Sequence, residues 1–165
     1  KYKREVFAQR VNYIKKLIPD ACIAADVITG FPGETDEEFD DTCNFILNLP
    51  VSYLHVFTYS VRPGTRAAIM PDQLPDVVKQ ERSRKLHRIS DLKKNEFYLQ
   101  NQGSVRPVLW ESDTENGFIF GFTDNYIRCK RQFSEEAINN IETVKLEQPD
   151  TDGVFTVSFP DNQTR

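Results

Sequence analysis

Two loops rich in glycine and proline carry the residue types that could hold a ligand. The first is residues 30–35 (Gly-Phe-Pro-Gly-Glu-Thr), and the second is residues 58–65 (Thr-Tyr-Ser-Val-Arg-Pro-Gly-Thr). Glycine lets the backbone approach a ligand without a Cβ between them, and proline fixes φ. Arg62 can pair with a carboxylate or phosphate in bidentate fashion. The loops therefore predict ligand binding through backbone groups and one arginine, although tight turns braced by a surface arginine explain the same residues.

A strand–helix–strand unit positions both loops. The apolar run 22–29 predicts a parallel strand covered on both faces, and the aromatic and β-branched run 52–59 predicts a second strand. Thr35 and Glu38 form a capping box, which predicts that a helix begins at about Asp36. Because the carboxyl ends of parallel strands meet at one edge of a sheet, we expect the two loops to lie side by side, where α/β units bind ligands.

Two further helices flank this unit. Residues 5–18 place apolar side chains on one helical stripe, and Pro19 ends that helix. Residues 76–101 predict a long helix that ends before Gly103 and is strongly basic on its polar face. A solvated face is one interpretation of these basic residues, and contact with an RNA backbone is the other.

The pattern changes to short strands from residue 104 onward. With Trp110 in the core, they predict a small closed or nearly closed β-barrel. We therefore expect an α/β plus all-β fold, with residues 1–102 in the first domain and 103–165 in the second. The five strand candidates are residues 105–111, 118–123, 126–131, 143–147 and 154–159.

The composition indicates a folded, reduced protein. Apolar residues make up 39% of the 165 residues, and no apolar run is long enough for a membrane span or a signal peptide, so we expect a cytoplasmic location. The chain begins at Lys1 and its only methionine is Met70, so we expect a piece of a longer protein. Three widely spaced cysteines predict buried thiols and no metal site: Cys22, Cys43 and Cys129.

The net charge of −4 is unevenly distributed along the chain. Residues 103–165 carry 6 Lys and Arg against 11 Asp and Glu, whereas residues 1–102 carry 15 against 14. An acidic balance disfavours strong, non-specific binding of nucleic acid. This balance therefore argues against a generic nucleic-acid surface in residues 103–165.

Three segments together resemble the radical S-adenosylmethionine (SAM) tRNA methylthiotransferases. They are residues 26–35 (Asp-Val-Ile-Thr-Gly-Phe-Pro-Gly-Glu-Thr), 57–65 (Phe-Thr-Tyr-Ser-Val-Arg-Pro-Gly-Thr) and 121–128 (Gly-Phe-Thr-Asp-Asn-Tyr-Ile-Arg). The third resembles the branch that acts on N6-threonylcarbamoyladenosine. The resemblance implies that residues 1–102 are the last units of a partial (βα)6 radical SAM barrel. It implies that residues 103–165 are a TRAM domain, a small β-barrel that grips tRNA.

The same resemblance implies an activity. The enzyme would add a methylthio group to adenine C2 of N6-threonylcarbamoyladenosine at position 37, using SAM and [4Fe–4S] clusters. Its partners would be the anticodon stem-loop of tRNA and an electron donor. The family's cluster cysteines are absent from this chain, so we expect the chain alone to hold no cofactor and to be inactive. An excised barrel leaves a strand edge unpaired, which predicts self-association.

Two alternatives stay open. One is a related radical SAM methylthiotransferase that acts on a ribosomal protein. The other is a non-catalytic RNA-binding module in which the α/β part is only a scaffold.

The resemblance implies two groups of site residues and no catalytic residue within this chain. The SAM pocket would comprise Ile28, Gly30, Phe31, Pro32, Gly33, Glu34, Phe57 and Tyr59. The second group combines cations with an aromatic stacking surface and would contact the nucleoside, the SAM carboxylate or RNA. It comprises Arg62, Thr65, Arg82, Lys85, Arg88, Arg106, Tyr126, Arg128 and Lys130.

Overall fold

A computed structural model describes residues 3–160, which form two compact units divided between Lys94 and Asn95. The helices are α1 (Arg4–Leu17), α2 (Asp36–Leu47) and α3 (Asp76–Asn101), with two short 3₁₀ helices at Arg66–Ile69 and Glu135–Ala137. The strands are β1 (Ala24–Thr29), β2 (Tyr53–Thr58), β3 (Val105–Glu115), β4 (Phe118–Thr123), β5 (Arg128–Gln132), β6 (Ile141–Pro149) and β7 (Phe155–Ser158). The described chain is thus a mixed α and β unit followed by a β unit. The assignment of residues 1–102 and 103–165 to particular domain families stays a prediction.

The first unit contains a two-stranded parallel sheet. β1 pairs with β2 in register from Ala24 opposite Tyr53 to Thr29 opposite Thr58, and α2 connects the two strands. The Thr35 side chain accepts a hydrogen bond from the Glu38 N–H, and the Glu38 carboxylate accepts one from the Thr35 N–H. The predicted parallel pair and the predicted capping box are both confirmed.

The core of the first unit lies on one face of this sheet. Ala25, Val27 and Val56 pack there against a single buried cluster to which all three helices contribute. The opposite face is open, because the alternate side chains of both strands are exposed. The expectation that β1 is covered on both faces is therefore wrong within residues 3–160, since the three helices direct their apolar side chains into one cluster. Its helical members are Val11, Phe39, Cys43, Ile46, Leu86 and Ile89.

Five strands close into a barrel in the second unit. The order is β3-β4-β5-β7-β6, and β6 pairs back to β3. Among the described strands of this barrel, β5 and β7 form the one parallel pair. Inward side chains fill the barrel, and the predicted burial of Trp110 is confirmed. The fully buried residues are Val108, Trp110, Ile119, Ile127, Cys129, Val144, Leu146 and Phe155.

The turn between β4 and β5 differs from the predicted strand at 126–131. Tyr126 has a φ of +66°, and its N–H donates to the Thr123 carbonyl at 3.1 Å. This left-handed conformation belongs to a tight turn, so β5 begins only at Arg128. The end of α3 holds the turn in place: the Asn125 side chain donates to the Asn101 side chain at 3.0 Å, and the Arg128 N–H donates to the Tyr98 hydroxyl at 3.2 Å.

We expect the Cys129 thiol to be inert in the folded protein. Burial in the barrel raises the pKa of this thiol to about 12, so almost no thiolate forms near neutral pH. Cys22 is only half-buried. With an alkylating reagent at pH 8, peptide mass spectrometry should show Cys22 modified at least about 100-fold faster than Cys129, which reacts only through transient opening. In urea both thiols should react alike, and equal rates without urea would contradict the closed barrel.

Candidate functional site

The two strand ends of the first unit lie next to each other. The Tyr59 N–H donates to the Thr29 carbonyl at 2.9 Å, which extends the parallel pairing beyond β2. Residues 30–34 therefore start beside Tyr59, as the strand arrangement predicts. The two rings at this edge also touch, since Phe31 and Tyr59 meet edge to face with their centroids 5.4 Å apart.

The loop at residues 30–34 is held by one of its own carboxylates. Glu34 Oε2 accepts a hydrogen bond from the Gly30 N–H at 2.7 Å and another from the Thr29 hydroxyl at 3.5 Å. Gly30 and Gly33 have φ values of +77° and +82°, a region that L side chains rarely adopt. The Gly33 N–H donates to the Asp72 carbonyl at 2.9 Å. Glycine at both positions is thus a requirement of the backbone, as the sequence predicts.

Arg82 of α3 reaches this loop from the core side. Its Nη1 donates to the Glu34 carboxylate at 2.6 Å and to the Glu34 carbonyl at 2.9 Å, while its Nη2 donates to Asp36 Oδ1 at 2.7 Å. The Arg82 residue is only 6% exposed. Burial acts to lower the Arg82 pKa, but the hydrogen bonds to Asp36 and Glu34 outweigh it and raise that pKa, so the guanidinium stays charged. Arg82 therefore does not lie on the solvated face that is one interpretation of the basic residues of α3, and the RNA contact predicted for it would require an exposed side chain.

Lys79 also packs against the loop. A Cβ placed on Gly30 would lie 2.6 Å from the Lys79 Cγ, so the lysine stem occupies the space that a side chain would need. The Lys79 ammonium pairs with Asp76 at 3.1 Å and lies 5.8 Å from the centre of the Tyr59 ring. Lys79 is not among the residues that the sequence predicts for this site, although its position one helical turn before Arg82 is a usable signal.

The open face of the sheet presents the apolar residues predicted for the pocket. Ile28 and Phe57 stand opposite each other in the register and are 60% and 52% exposed. Asp26 and His55 form the preceding pair on the same face. Asp26 and His55 are not among the residues predicted for the pocket, although period-2 alternation places them on the same face as Ile28 and Phe57. Of the remaining loop residues, Phe31 and Gly33 are exposed and Pro32 is buried.

The second loop uses part of its chemistry internally. The Thr65 hydroxyl donates to the Arg62 carbonyl at 2.8 Å and accepts from the Ala68 N–H at 3.3 Å, so it caps the first 3₁₀ helix. The Arg62 side chain is exposed. Arg62 is thus available to a ligand, whereas the Thr65 hydroxyl already has partners.

Two other predicted cations of α3 lie on its exposed side. Lys85 pairs with Asp40 of α2 at 2.6 Å, and this hydrogen bond raises the Lys85 pKa. Arg88 is exposed, and both cations line a groove of about 690 Å³ between α2 and α3.

The predicted cations of the barrel stand next to aromatic rings or acids. Arg128 lies 4.8 Å from the centre of the Phe120 ring, and Lys130 lies 5.1 Å from that of Phe118. Lys130 also pairs with Asp150, and this hydrogen bond is the main reason why the Asp150 pKa is lowered. Arg106 pairs with Asp124 at 3.2 Å. The acids of this unit therefore neutralise two of its three predicted RNA-binding cations locally.

Tyr126 borders an apolar hollow that the sequence did not predict. The Tyr126 residue is 68% exposed and lies 6.0 Å from the Phe122 ring, centre to centre. The hollow measures about 410 Å³ and contains both aromatic rings. Because Leu109 pairs with Phe122 on one side and with Ile141 on the other, its floor spans three neighbouring strands.

Two kinds of feature are absent from the part of the chain that the structure describes. None of the helices within residues 3–160 has the length and apolar character that crossing a membrane requires. Within the same residues, His, Cys, Asp and Glu side chains form no group of three or more that could hold a metal ion.

Comparison with known proteins identifies the relatives of this chain. It is 43% identical over 151 residues to the threonylcarbamoyladenosine tRNA methylthiotransferase MtaB of Bacillus subtilis, a match that covers 88% of this chain and 33% of the relative. It is 41% identical over 122 residues to the tRNA-2-methylthio-N(6)-dimethylallyladenosine synthase of Pelotomaculum thermopropionicum, covering 73% of this chain and 27% of the relative. The chain spans about a third of the length of the curated relatives it matches. No protein-family model matches it.

These similarities define a class of relatives, the proteins named as tRNA-modifying enzymes. Within that class, the chain is a homologue of the tRNA methylthiotransferases, with relatives named for threonylcarbamoyladenosine and for dimethylallyladenosine. The resemblance predicted from the three sequence segments is thereby confirmed.

Proposed function

We propose that this chain is the C-terminal part of a radical SAM tRNA methylthiotransferase that acts at adenine C2 of N6-threonylcarbamoyladenosine at position 37. Residues 1–102 would complete a partial (βα)6 barrel, and residues 103–165 would form its TRAM domain. Support for this substrate comes from the relative with 43% identity, which is named for threonylcarbamoyladenosine. The intact protein would act in the cytoplasm, with tRNA and an electron donor as partners.

The observation that carries the proposal is the open sheet face beside the loop at residues 30–34. Ile28 and Phe57 offer an apolar surface suited to a planar adenine ring, and exposed Gly33 leaves the loop backbone uncovered there. Near Gly33, a Cβ would meet no heavy atom within 4 Å. The Tyr59 hydroxyl is buried without a hydrogen-bond partner among the described residues, so a polar ligand group could satisfy it. These residues fit SAM.

The chain's residues would bind and orient SAM rather than carry out the chemistry. Ile28 and Phe57 would pack against the adenine, the loop backbone would position its edge, and exposed Arg62 would pair with the carboxylate. When bound, SAM supplies the radical and methyl chemistry of the reaction. The cysteines of this chain do not fit a [4Fe–4S] cluster, because Cys43 and Cys129 are buried in different units.

The barrel would contribute a weak RNA contact. Arg128 and Tyr126 are exposed, whereas Lys130 and Arg106 are paired with acids. An exposed ring and a cation are the groups that stack on and pair with unpaired nucleotides. Arg88 would add a phosphate contact from α3, and Lys85 a weaker one, because Asp40 already holds its ammonium.

The test uses the intact protein that contains this chain, purified without oxygen. After incubation with SAM, a reductant, a sulfur source and tRNA carrying N6-threonylcarbamoyladenosine, nucleoside mass spectrometry should detect the 2-methylthio product. A parallel reaction with tRNA carrying N6-dimethylallyladenosine should yield none. If only the tRNA with N6-dimethylallyladenosine gave product, the substrate would be the one named for the dimethylallyladenosine relatives. Product from neither tRNA would overturn the proposal.

A further inference from the structure

We propose that Arg82 is a positioning residue for the SAM loop: its buried guanidinium fixes the Glu34 carboxylate, and that carboxylate sets the backbone of residues 30–34. The inference rests on the proposed function of this loop. Arg82 lies on α3, 48 residues along the chain from Glu34, and it is buried, whereas Arg84 and Lys85 nearby are exposed.

The contacts form a chain of three hydrogen-bonded groups. Arg82 holds Glu34 by both its carboxylate and its carbonyl, at 2.6 and 2.9 Å. The same carboxylate oxygen, Oε2, accepts the Gly30 N–H at 2.7 Å. The bond to Asp36 at 2.7 Å fixes the second nitrogen of the guanidinium. The two ends of the loop are thereby joined through one oxygen atom whose position depends on Arg82.

Stability alone is a poor explanation for this arrangement. A buried ion pair gains little net free energy, because desolvation offsets the Coulombic attraction, and apolar replacements are often as stable. The Arg82 Nε is also buried without a hydrogen-bond partner among the described residues, which adds a cost. What the guanidinium supplies is geometry, since a planar fork fixes the direction of each group that it binds.

Loss of Arg82 would make the loop at residues 30–34 more mobile and would leave the fold of the unit intact. Without its partner, the part-buried Glu34 carboxylate would gain solvation by turning towards water and would release the Gly30 N–H. The loop would then sample other backbone conformations, and SAM would have to order it on binding. Affinity falls when a binding site loses its preorganisation.

The experiment compares four variants of the intact protein: Arg82→Met, Arg82→Lys, Arg84→Met as matched control, and Ile28→Asp as reference for the pocket. Arg84 lies on the same helix and is exposed, and its Nε donates to the Gln80 carbonyl at 3.4 Å. Calorimetry measures the dissociation constant for SAM, and hydrogen exchange measures the protection of the peptide that spans residues 29–35. Thermal unfolding of each variant reports on the fold.

We expect Arg82→Met to weaken SAM binding roughly tenfold and to accelerate exchange of that peptide by a similar factor, with little change in melting temperature. Arg82→Lys should restore part of the SAM affinity and part of the exchange protection, because one ammonium can reach Glu34 but cannot also bind Asp36 in the same geometry. Arg84→Met should leave both within about twofold of the wild type.

Two results would overturn the inference. If Ile28→Asp abolishes SAM binding while Arg82→Met leaves both affinity and exchange unchanged, the positioning role is wrong and the proposed pocket stands. If neither variant changes affinity, the loop does not bind SAM and the proposed function of the loop falls with the inference. Should Arg82→Met fail to fold, Glu34→Gln keeps the side-chain volume and tests the same link.

Discussion

Gly121→Ala should destabilise the barrel of the second unit by about 3 kcal/mol or more. A Cβ at this position would lie 2.3 Å from the Leu109 carbonyl oxygen and 2.9 Å from both the Trp110 ring and a Val108 methyl group. Gly121 pairs with Trp110 across β3 and β4. Because the nearest atom belongs to the backbone of the neighbouring strand, no side-chain rotation relieves the clash, and the two strands must separate.

The measurement is urea denaturation followed by tryptophan fluorescence. Trp110 is the only tryptophan of the chain and is fully buried in this barrel, so its emission reports on the same unit. Gly117→Ala is the matched control, since a Cβ there meets nothing within 4 Å and only the φ of +80° is strained. That strain costs about 1–2 kcal/mol. Equal denaturation midpoints for the two variants would contradict the close approach of β3 to β4.

Glu34→Ala should destabilise the first unit by about 3 kcal/mol. The substitution leaves the buried Arg82 guanidinium with Asp36 as its remaining ion-pair partner and removes the acceptor of the Gly30 N–H. Removing one partner of a buried ion pair typically costs 3–5 kcal/mol because the other charge loses its compensation. We expect the lower end of this range, since Asp36 still neutralises part of the charge.

Native-state hydrogen exchange of peptides from β1 and β2 measures this loss. Protection of both strands should fall by the factor that corresponds to the free energy, roughly a hundredfold. Glu37→Ala provides the comparison, because Glu37 is an exposed acid of the first turn of α2, three residues from Glu34. Its removal should cost well under 1 kcal/mol. Similar protection in both variants would show that the bond between Glu34 and Arg82 contributes nothing to the fold.

The two substitutions at this link examine different properties. Arg82→Met removes a charge together with its desolvation cost, so its main effect should be on SAM affinity. Glu34→Ala removes the acceptor and leaves the cation buried, so its main effect should be on stability. The two effects differ because Glu34→Ala leaves the Arg82 cation buried, whereas Arg82→Met removes that buried cation.

Features that depend on a few neighbouring residues could be predicted from the sequence. The capping box at Thr35 and Glu38 predicts the start of α2, and the structure begins α2 at Asp36. The short run of residues 118–123, which lies between turn residues on both sides, predicts β4 at its observed bounds. The glycines of the loop at residues 30–34 predict a backbone that other residues adopt only with strain, and both have positive φ. Each of these features depends on neighbours within about one turn or one strand, so the sequence by itself determined them.

Only the tertiary structure decided how these elements use their side chains. Arg82 belongs to a run of basic residues, yet it is buried, because folding places Glu34 and Asp36 beside it from more than 40 residues away. The open face of the sheet could not be predicted locally either, since β1 carries apolar residues on both sides and only the placement of three helices on one face leaves Ile28 exposed. Burial and ion pairing depend on contacts that are distant in sequence, and a local pattern does not contain them.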